Sequence, residues 1–248
     1  LKEKYETDIK IIGKTLSEET IKYKNHTYDI GSLIDEWEKP LNDIFPIYER
    51  NEIDCSEASL NREKSKMKSN ILVKKGPKVF IPVFPGTNCE IDTKRAFEKV
   101  GALCTLKIFK NIRENDIEES TKIFAAEIAD SQILMLPGGF SAGDEPDGSG
   151  KFISAFLRNP LIKTSIMDLL NKNDGLILGI CNGFQVLLRL GLLPFGEYRV
   201  PDQDFPTLTS NKIGRHISTI VNTKVFSVKS PWLNEYDLGR TFKVPVSH

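Results

Sequence analysis

The sequence predicts an α/β protein built on a doubly wound, mostly parallel sheet, with a smaller α+β appendage at its N-terminus. Three observations predict it. From residue 78 to residue 191, short apolar runs alternate with segments of helical periodicity, the signature of a parallel sheet with crossover helices. The runs at 79–84, 133–136 and 176–180 are apolar with almost no interruption, as expected of strands covered on both faces. Each of those runs also ends in a cluster of turn residues. In such sheets the turns at the carboxyl ends of the strands are where ligands bind.

Composition narrows the class further. The chain has 248 residues, 40% hydrophobic and 27% charged, which is enough to bury a sizeable core. Its 34 basic and 34 acidic residues cancel, so no electrostatic footprint for nucleic acid or an anionic membrane is present. No apolar stretch is long enough to span a bilayer, and no signal peptide opens the chain. Neither a nucleic acid nor a membrane is therefore expected as a partner. The four cysteines, at 55, 89, 104 and 181, show no CxxC spacing and no neighbouring histidines. That pattern points away from zinc and towards reduced thiols in a cytoplasmic protein. Because the chain opens on Leu1 and closes abruptly at His248, it is expected to be a piece of a longer polypeptide.

Residues 1–48 open with a strand candidate at 9–12, ended by Gly13. A second alternating stretch runs over 20–28, with Asn25 and His26 in a possible turn. Residues 29–45 read as a helix on Leu33, Ile34, Trp37, Leu41 and Ile44, which Pro40 must kink or divide. Two strands and a helix are too little for a domain. Residues 49–77 are polar and charged, and read as a linker. A domain of its own is expected over 78–248.

Within it, the strand at 79–84 turns at Pro85-Gly86-Thr87-Asn88. Residues 92–100 put Ala96, Phe97 and Val100 on one helical face, with Gly101 as the stop. A strand at 105–109 follows, and then a helix marked by Ile117, Phe124 and Ile128. The strand at 133–136 ends in Pro137-Gly138-Gly139. Two helices come next, one with Phe152, Ile153 and Phe156, the other with Ile162, Ile166, Leu169 and Leu170. After the strand at 176–180, Phe184, Leu187, Leu188 and Gly191 form one stripe of a helix. Beyond it, residues 217–221 and 224–228 look like antiparallel strands, and 243–246 like one more.

Cys181 stands at the sharp junction between the strand at 176–180 and the helix after it. A free cysteine is often just a small core residue. Here Gly179 and Gly183 flank it at the two-residue spacing of a nucleophile elbow, where larger side chains would collide with the turn. The elbow lifts the sulfur out of the sheet and sets it at the positive end of a helix, where negative charge is favoured. A cysteine nucleophile attacking a carbonyl also needs a base and an oxyanion site. Of the three histidines, His26 lies in the appendage and His216 in an irregular stretch. His248 follows a strand candidate of the same domain and is favoured as the base. For the oxyanion, the backbone N–H of Asn182 begins the helix, and a second N–H is expected from Gly139 or Phe140. The stretch 138–151 invites comparison with a phosphate-binding loop but fails it. Glu145 stands where the leading glycine belongs, and Phe152 where Ser or Thr belongs.

These residues also carry a resemblance. G-I-C-N-G-F-Q at 179–185, preceded by P-G-G-F-S at 137–141, resembles the class I (triad) glutamine amidotransferases. The longer strings V-F-P-G-T-N-C-E at 83–90 and G-D-E-P-D-G-S-G-K-F at 143–152 are similar to the phosphoribosylformylglycinamidine synthase family, in its single-chain form with the glutaminase at the C-terminus. The resemblance covers about 78–248, and residues 1–48 resemble the end of that family's synthetase region. It implies a flavodoxin-like amidotransferase fold and a glutaminase that takes L-glutamine through a cysteinyl thioester. The ammonia released would pass to the synthetase domain of the same parent chain, which uses ATP and magnesium to convert formylglycinamide ribonucleotide to the amidine in purine biosynthesis. No cofactor is implied for the piece in hand.

Carried over residue by residue, Cys181 is the nucleophile, Gly139 and Asn182 lie near the oxyanion, and Gln185 matches the motif's glutamine in a supporting role. P-V-S-H at 245–248 resembles the start of the family's P-x-S-H-G-E-G stretch, making His248 the base. Its orienting glutamate would lie two residues further on, so the piece in hand is expected to show little or no glutaminase turnover alone. Two alternatives stay open: a cysteine hydrolase or isomerase like the DJ-1 superfamily, with Glu90 as the nearest carboxylate, and a non-catalytic interaction domain whose elbow is a relic.

Overall fold

The computed structural model describes residues 11–41, 60, 63, 76–141, 150–202, 205–208, 211 and 216–247. The chain forms two compact units, divided between residues 52 and 53.

In the first unit, β1 (Thr20–Tyr23) and β2 (His26–Asp29) pair as an antiparallel hairpin. The alternating stretch at 20–28 is thus two strands, because Lys24 adopts a left-handed turn conformation with φ 53°. Asp29 then caps α1 (Ile30–Glu38), its carboxylate accepting the Ser32 N–H at 2.8 Å. Pro40 lies in the single 3-10 turn, Lys39–Leu41, that ends the described part of this unit. Of the strand candidate at 9–12, residues 9 and 10 lie outside the described residues, while Ile11 and Ile12 are exposed and irregular. Most of the linker expected at 49–77 also lies outside them.

The second unit holds a four-stranded parallel sheet of β3 (Lys78–Val83), β4 (Leu103–Ile108), β5 (Ile133–Leu136) and β6 (Leu176–Gly179), in the order β4-β3-β5-β6. The expected doubly wound sheet is present. Its helices are α2 (Glu90–Lys99), α3 (Asp116–Asp130), α4 (Lys151–Leu157), α5 (Pro160–Asn171), α6 (Asn182–Leu190) and the short α7 (Leu192–Phe195). Side chains alternate along each strand, so the apolar runs feed two cores. Phe80, Leu134 and Leu136 pack on one face with Phe124, Ile128, Ile162, Ile166 and Leu190. Val79, Ile81, Ile133 and Met135 pack on the other with Phe97 and Trp232. The first core is filled by edge-to-face aromatics, including Phe84 on Phe156 at 5.6 Å and Phe109 on Phe152 at 5.5 Å. Val100, expected to share the buried face of α2, is 80% exposed, and that helix buries none of its residues fully.

From β3 the chain runs to β4 on one side, and β5 then returns to the other side of β3. The strand order therefore reverses at β3, and at such a reversal the carboxyl ends of the strands are where sheets of this kind bind ligands.

Past α7, β7 (Ser218–Lys224) pairs with β8 (Thr241–Ser247) along seven residues. This corrects the expected strand at 224–228. The partner of β7 lies further along the chain, and Val225 and Val228 are instead buried in the intervening segment. That segment closes an open edge. Among the described residues β6 has a sheet neighbour only in β5, and the Trp232 indole donates to the Ile177 carbonyl of β6 at 3.0 Å. Its ring also meets Phe97 edge-on at 6.5 Å. Trp232→Phe keeps most of that packing and leaves the carbonyl without its donor. Chemical denaturation is expected to show a loss of about 1–2 kcal/mol.

Candidate active site

The turn between β6 and α6 is built by close contacts. Ile180 donates its N–H to the Leu136 carbonyl at 3.1 Å, extending the β5–β6 ladder by one residue. The chain then reverses at Cys181, with φ 53° and ψ −113°. A non-glycine residue in that region stores on the order of 1–3 kcal/mol of strain, kept only where the surroundings enforce it. Gly183 enforces it here. Its N–H bonds the Ile180 carbonyl at 2.9 Å, and a Cβ on it would collide with the backbone of Leu136. A Cβ on Gly179 would in turn run into the Gly183 carbonyl. Gln185 then donates to the Cys181 carbonyl at 3.1 Å, starting the helix.

Cys181 is half-buried, and its thiol makes no cap bond to α6. Two other cysteines are described. Cys104 is half-buried, with Sγ 3.7 Å from the Lys94 carbonyl, and burial pushes its thiol pKa up. Cys89 is an exposed residue at the start of α2, with φ 66°.

The loop after β5 lies directly against the elbow. A Cβ placed on Gly138 would be 3.3 Å from the Cys181 Cβ and 3.8 Å from its Sγ. The same loop is stitched to the turn after β3 by an isolated antiparallel bridge between Thr87 and Gly139. Asn88 donates to the Gly138 carbonyl at 3.0 Å, and Phe140 donates to the Gly86 carbonyl at 3.0 Å. The Phe140 N–H is therefore committed to the loop. Of the two donors weighed from the sequence, only Gly139 turns its N–H away from the bridge, as the central residue of such a pair does. Gly139 has φ 130°, and a Cβ there would strike the Gly86 carbonyl, so only glycine fits this approach. The Phe140 ring is left 53% exposed. Ser141, at φ 34°, completes the loop by donating from Oγ to the Asn182 Oδ1 at 3.1 Å. Both residues are buried.

The structure thus brings Cys181, Asn182, Gln185, Gly139 and Phe140 together at the carboxyl ends of β5 and β6. The role of His248 lies outside the described residues. His216 sits beside the residue that precedes it, with Nε2 3.0 Å from the Ser247 Oγ. Ser141 escaped the sequence reading, although a polar residue closing a glycine turn behind a buried strand was a usable signal.

Residues 76–248 match the family described as the CobB/CobQ-like glutamine amidotransferase domain. The chain belongs to that family. It is 37% identical over 157 residues to the phosphoribosylformylglycinamidine synthase subunit PurQ of Methanococcus maripaludis, covering 62% of this chain and 52% of that protein. It is 30% identical over 171 residues to the PurQ subunit of Pyrococcus furiosus, covering 69% and 62%. Among solved structures it is similar to PurLQS from Thermotoga maritima, at 26% identity and TM-score 0.49, covering 70% of this chain and 66% of that one. The chain spans about half the length of the first of these curated relatives. This amidotransferase domain has its strained cysteine where the parallel strand β6 meets α6, with the Gly138–Gly139 turn against it.

Proposed function

We propose that this chain carries the glutaminase of a phosphoribosylformylglycinamidine synthase, with Cys181 as its nucleophile. The observation that carries the reading is the elbow itself: a strained Cys181 at the end of β6, in contact with the Gly138–Gly139 turn. In the reaction, the Cys181 thiol gives its proton to His248 as its sulfur attacks the carboxamide carbon of L-glutamine. The carbonyl oxygen becomes an oxyanion between the backbone N–H groups of Asn182 and Gly139. Collapse breaks the carbon–nitrogen bond, and the leaving nitrogen takes a proton from His248 to depart as ammonia. Water, deprotonated by the same histidine, then cleaves the thioester and releases glutamate. The ammonia serves a synthetase domain that uses ATP and magnesium to convert formylglycinamide ribonucleotide to formylglycinamidine ribonucleotide in the cytoplasm. A compact unit upstream of the amidotransferase domain supports the single-chain arrangement, with residues 1–48 as the tail of that synthetase and 49–77 as the linker.

A diazo-ketone analogue of glutamine tests the reading. It should label Cys181 selectively, leave Cys89 and Cys104 unmodified, and be blocked by excess L-glutamine. Labelling of exposed Cys89 in preference to Cys181, or labelling indifferent to glutamine, would reject a glutamine site at the elbow.

A further inference from the structure

The two oxyanion donors proposed above come from different parts of the chain, the loop after β5 and the first turn of α6. The ladder bond from Ile180 to Leu136 fixes where the two segments begin, two residues before Asn182 and three before Gly139. The bridge at Thr87 holds the loop on the side away from α6. On the side facing α6, Gly138 packs on Cys181, and past that contact the hydroxyl of Ser141 reaches the side chain of Asn182, across 41 residues of sequence.

We propose that Ser141 is a positioning residue for the reaction: its buried hydroxyl, bonded to the Asn182 side chain, holds the Gly139 N–H at a working distance from the Asn182 N–H. The inference rests on the glutaminase reading. Three observations support it. Ser141 is 4% exposed and Asn182 is fully buried, so water cannot compete for the bond. Ser141 adopts φ 34°, which is unfavourable for a residue with a Cβ and is kept only where the surroundings hold it. The bond also joins the residue two places after Gly139 to the residue that itself supplies the other donor. A displacement of one donor by about 1 Å is enough to cost on the order of a hundredfold in rate. Ser141 touches no substrate atom in this scheme. It acts through the geometry of the backbone.

The test uses the enzyme that carries the full parent chain, comparing Ser141→Ala, Ser141→Gly, Asn182→Ala and the Ser141→Ala/Asn182→Ala double variant. Glycine removes the hydroxyl and also relieves the left-handed strain, so it remains informative if the alanine variant folds poorly. Glutamine-dependent kcat is expected to fall about tenfold to a hundredfold in both Ser141 variants, with KM changed less than about threefold. Alkylation of Cys181 by iodoacetamide, which needs no oxyanion site, should proceed at the wild-type rate. The double variant should be no more than about threefold worse than the poorer single one, as for two residues acting through one bond. The proposal is overturned if Ser141→Gly keeps kcat within twofold of wild type, if the loss falls on KM, if alkylation falls in parallel, or if the two losses multiply. The underlying reading fails separately: wild-type enzyme that forms no glutamine-derived thioester on Cys181 would sink both.

Discussion

Replacing Cys181 by alanine in the parent enzyme should abolish synthesis from glutamine, by roughly a thousandfold or more, while leaving synthesis from added ammonia near its wild-type rate. The size of the effect follows from the chemistry. A thioester cannot form without the sulfur, and the proposed oxyanion donors would then stabilise only a transition state that water reaches poorly. The second half of the expectation follows from where the residue sits. Cys181 is only half-buried at the mouth of the sheet, and alanine is smaller, so the variant loses few packing contacts. The Cβ also stays in the same unfavourable backbone region, so alanine neither adds nor relieves strain. Steady-state assays with glutamine and with ammonium salts, run side by side, check both halves. Retained glutamine-dependent activity would return the elbow to the status of a relic in an interaction domain.

The second large effect is expected at Gly183. Gly183→Ala would ordinarily be favourable in a helix, by up to about 1 kcal/mol, because alanine loses less backbone freedom on folding. Here the added Cβ meets the Leu136 carbonyl and carbon, and these belong to the central strand β5. Leu136 is itself 1% exposed, and its carbonyl accepts the Ile180 N–H, so it has no free direction in which to move. Overpacking of this kind costs typically 1–3 kcal/mol, and a backbone collision sits at the upper end. The clash outweighs the helix gain. A net destabilisation of about 2 kcal/mol is expected from denaturant unfolding. Relief can come only by moving α6 away from β5, which displaces both Cys181 and Asn182. Glutaminase activity should therefore fall by more than tenfold even at temperatures where the variant is folded. A variant with unchanged stability and unchanged turnover would show that the elbow tolerates a side chain at 183 and is not held by this contact.

Much of this architecture was legible in the residue pattern. Apolar runs such as 79–84 and 133–136 announce strands covered on both sides because no polar residue interrupts them. Phe124 and Ile128, or Ile162, Ile166 and Leu169, announce helices because they recur at the helical period. Local failures have local reasons. Lys24 is an ordinary lysine in a left-handed turn, so nothing but its neighbours Asn25 and His26 hinted that one alternating stretch was two strands. Residues 224–228 have the composition of a strand, yet β7 finds its partner at 241–247 and the valines between them turn inward. Composition does not specify a partner.

The sequence by itself determined the class of fold, the junction at which Cys181 stands and the glycines that make that junction possible. Each is a property of a few consecutive residues, set by side-chain period and by steric limits on the backbone. Tertiary structure decided which loops meet at the junction. It committed the Phe140 N–H to Gly86 and left Gly139 turned the other way. It joined Ser141 to Asn182, and it laid Trp232 along the open edge of β6. Those contacts bring together residues tens of positions apart, and they depend on the order β4-β3-β5-β6. Strand order is a choice among pairings of similar local energy, settled only when the two faces of the sheet are covered together.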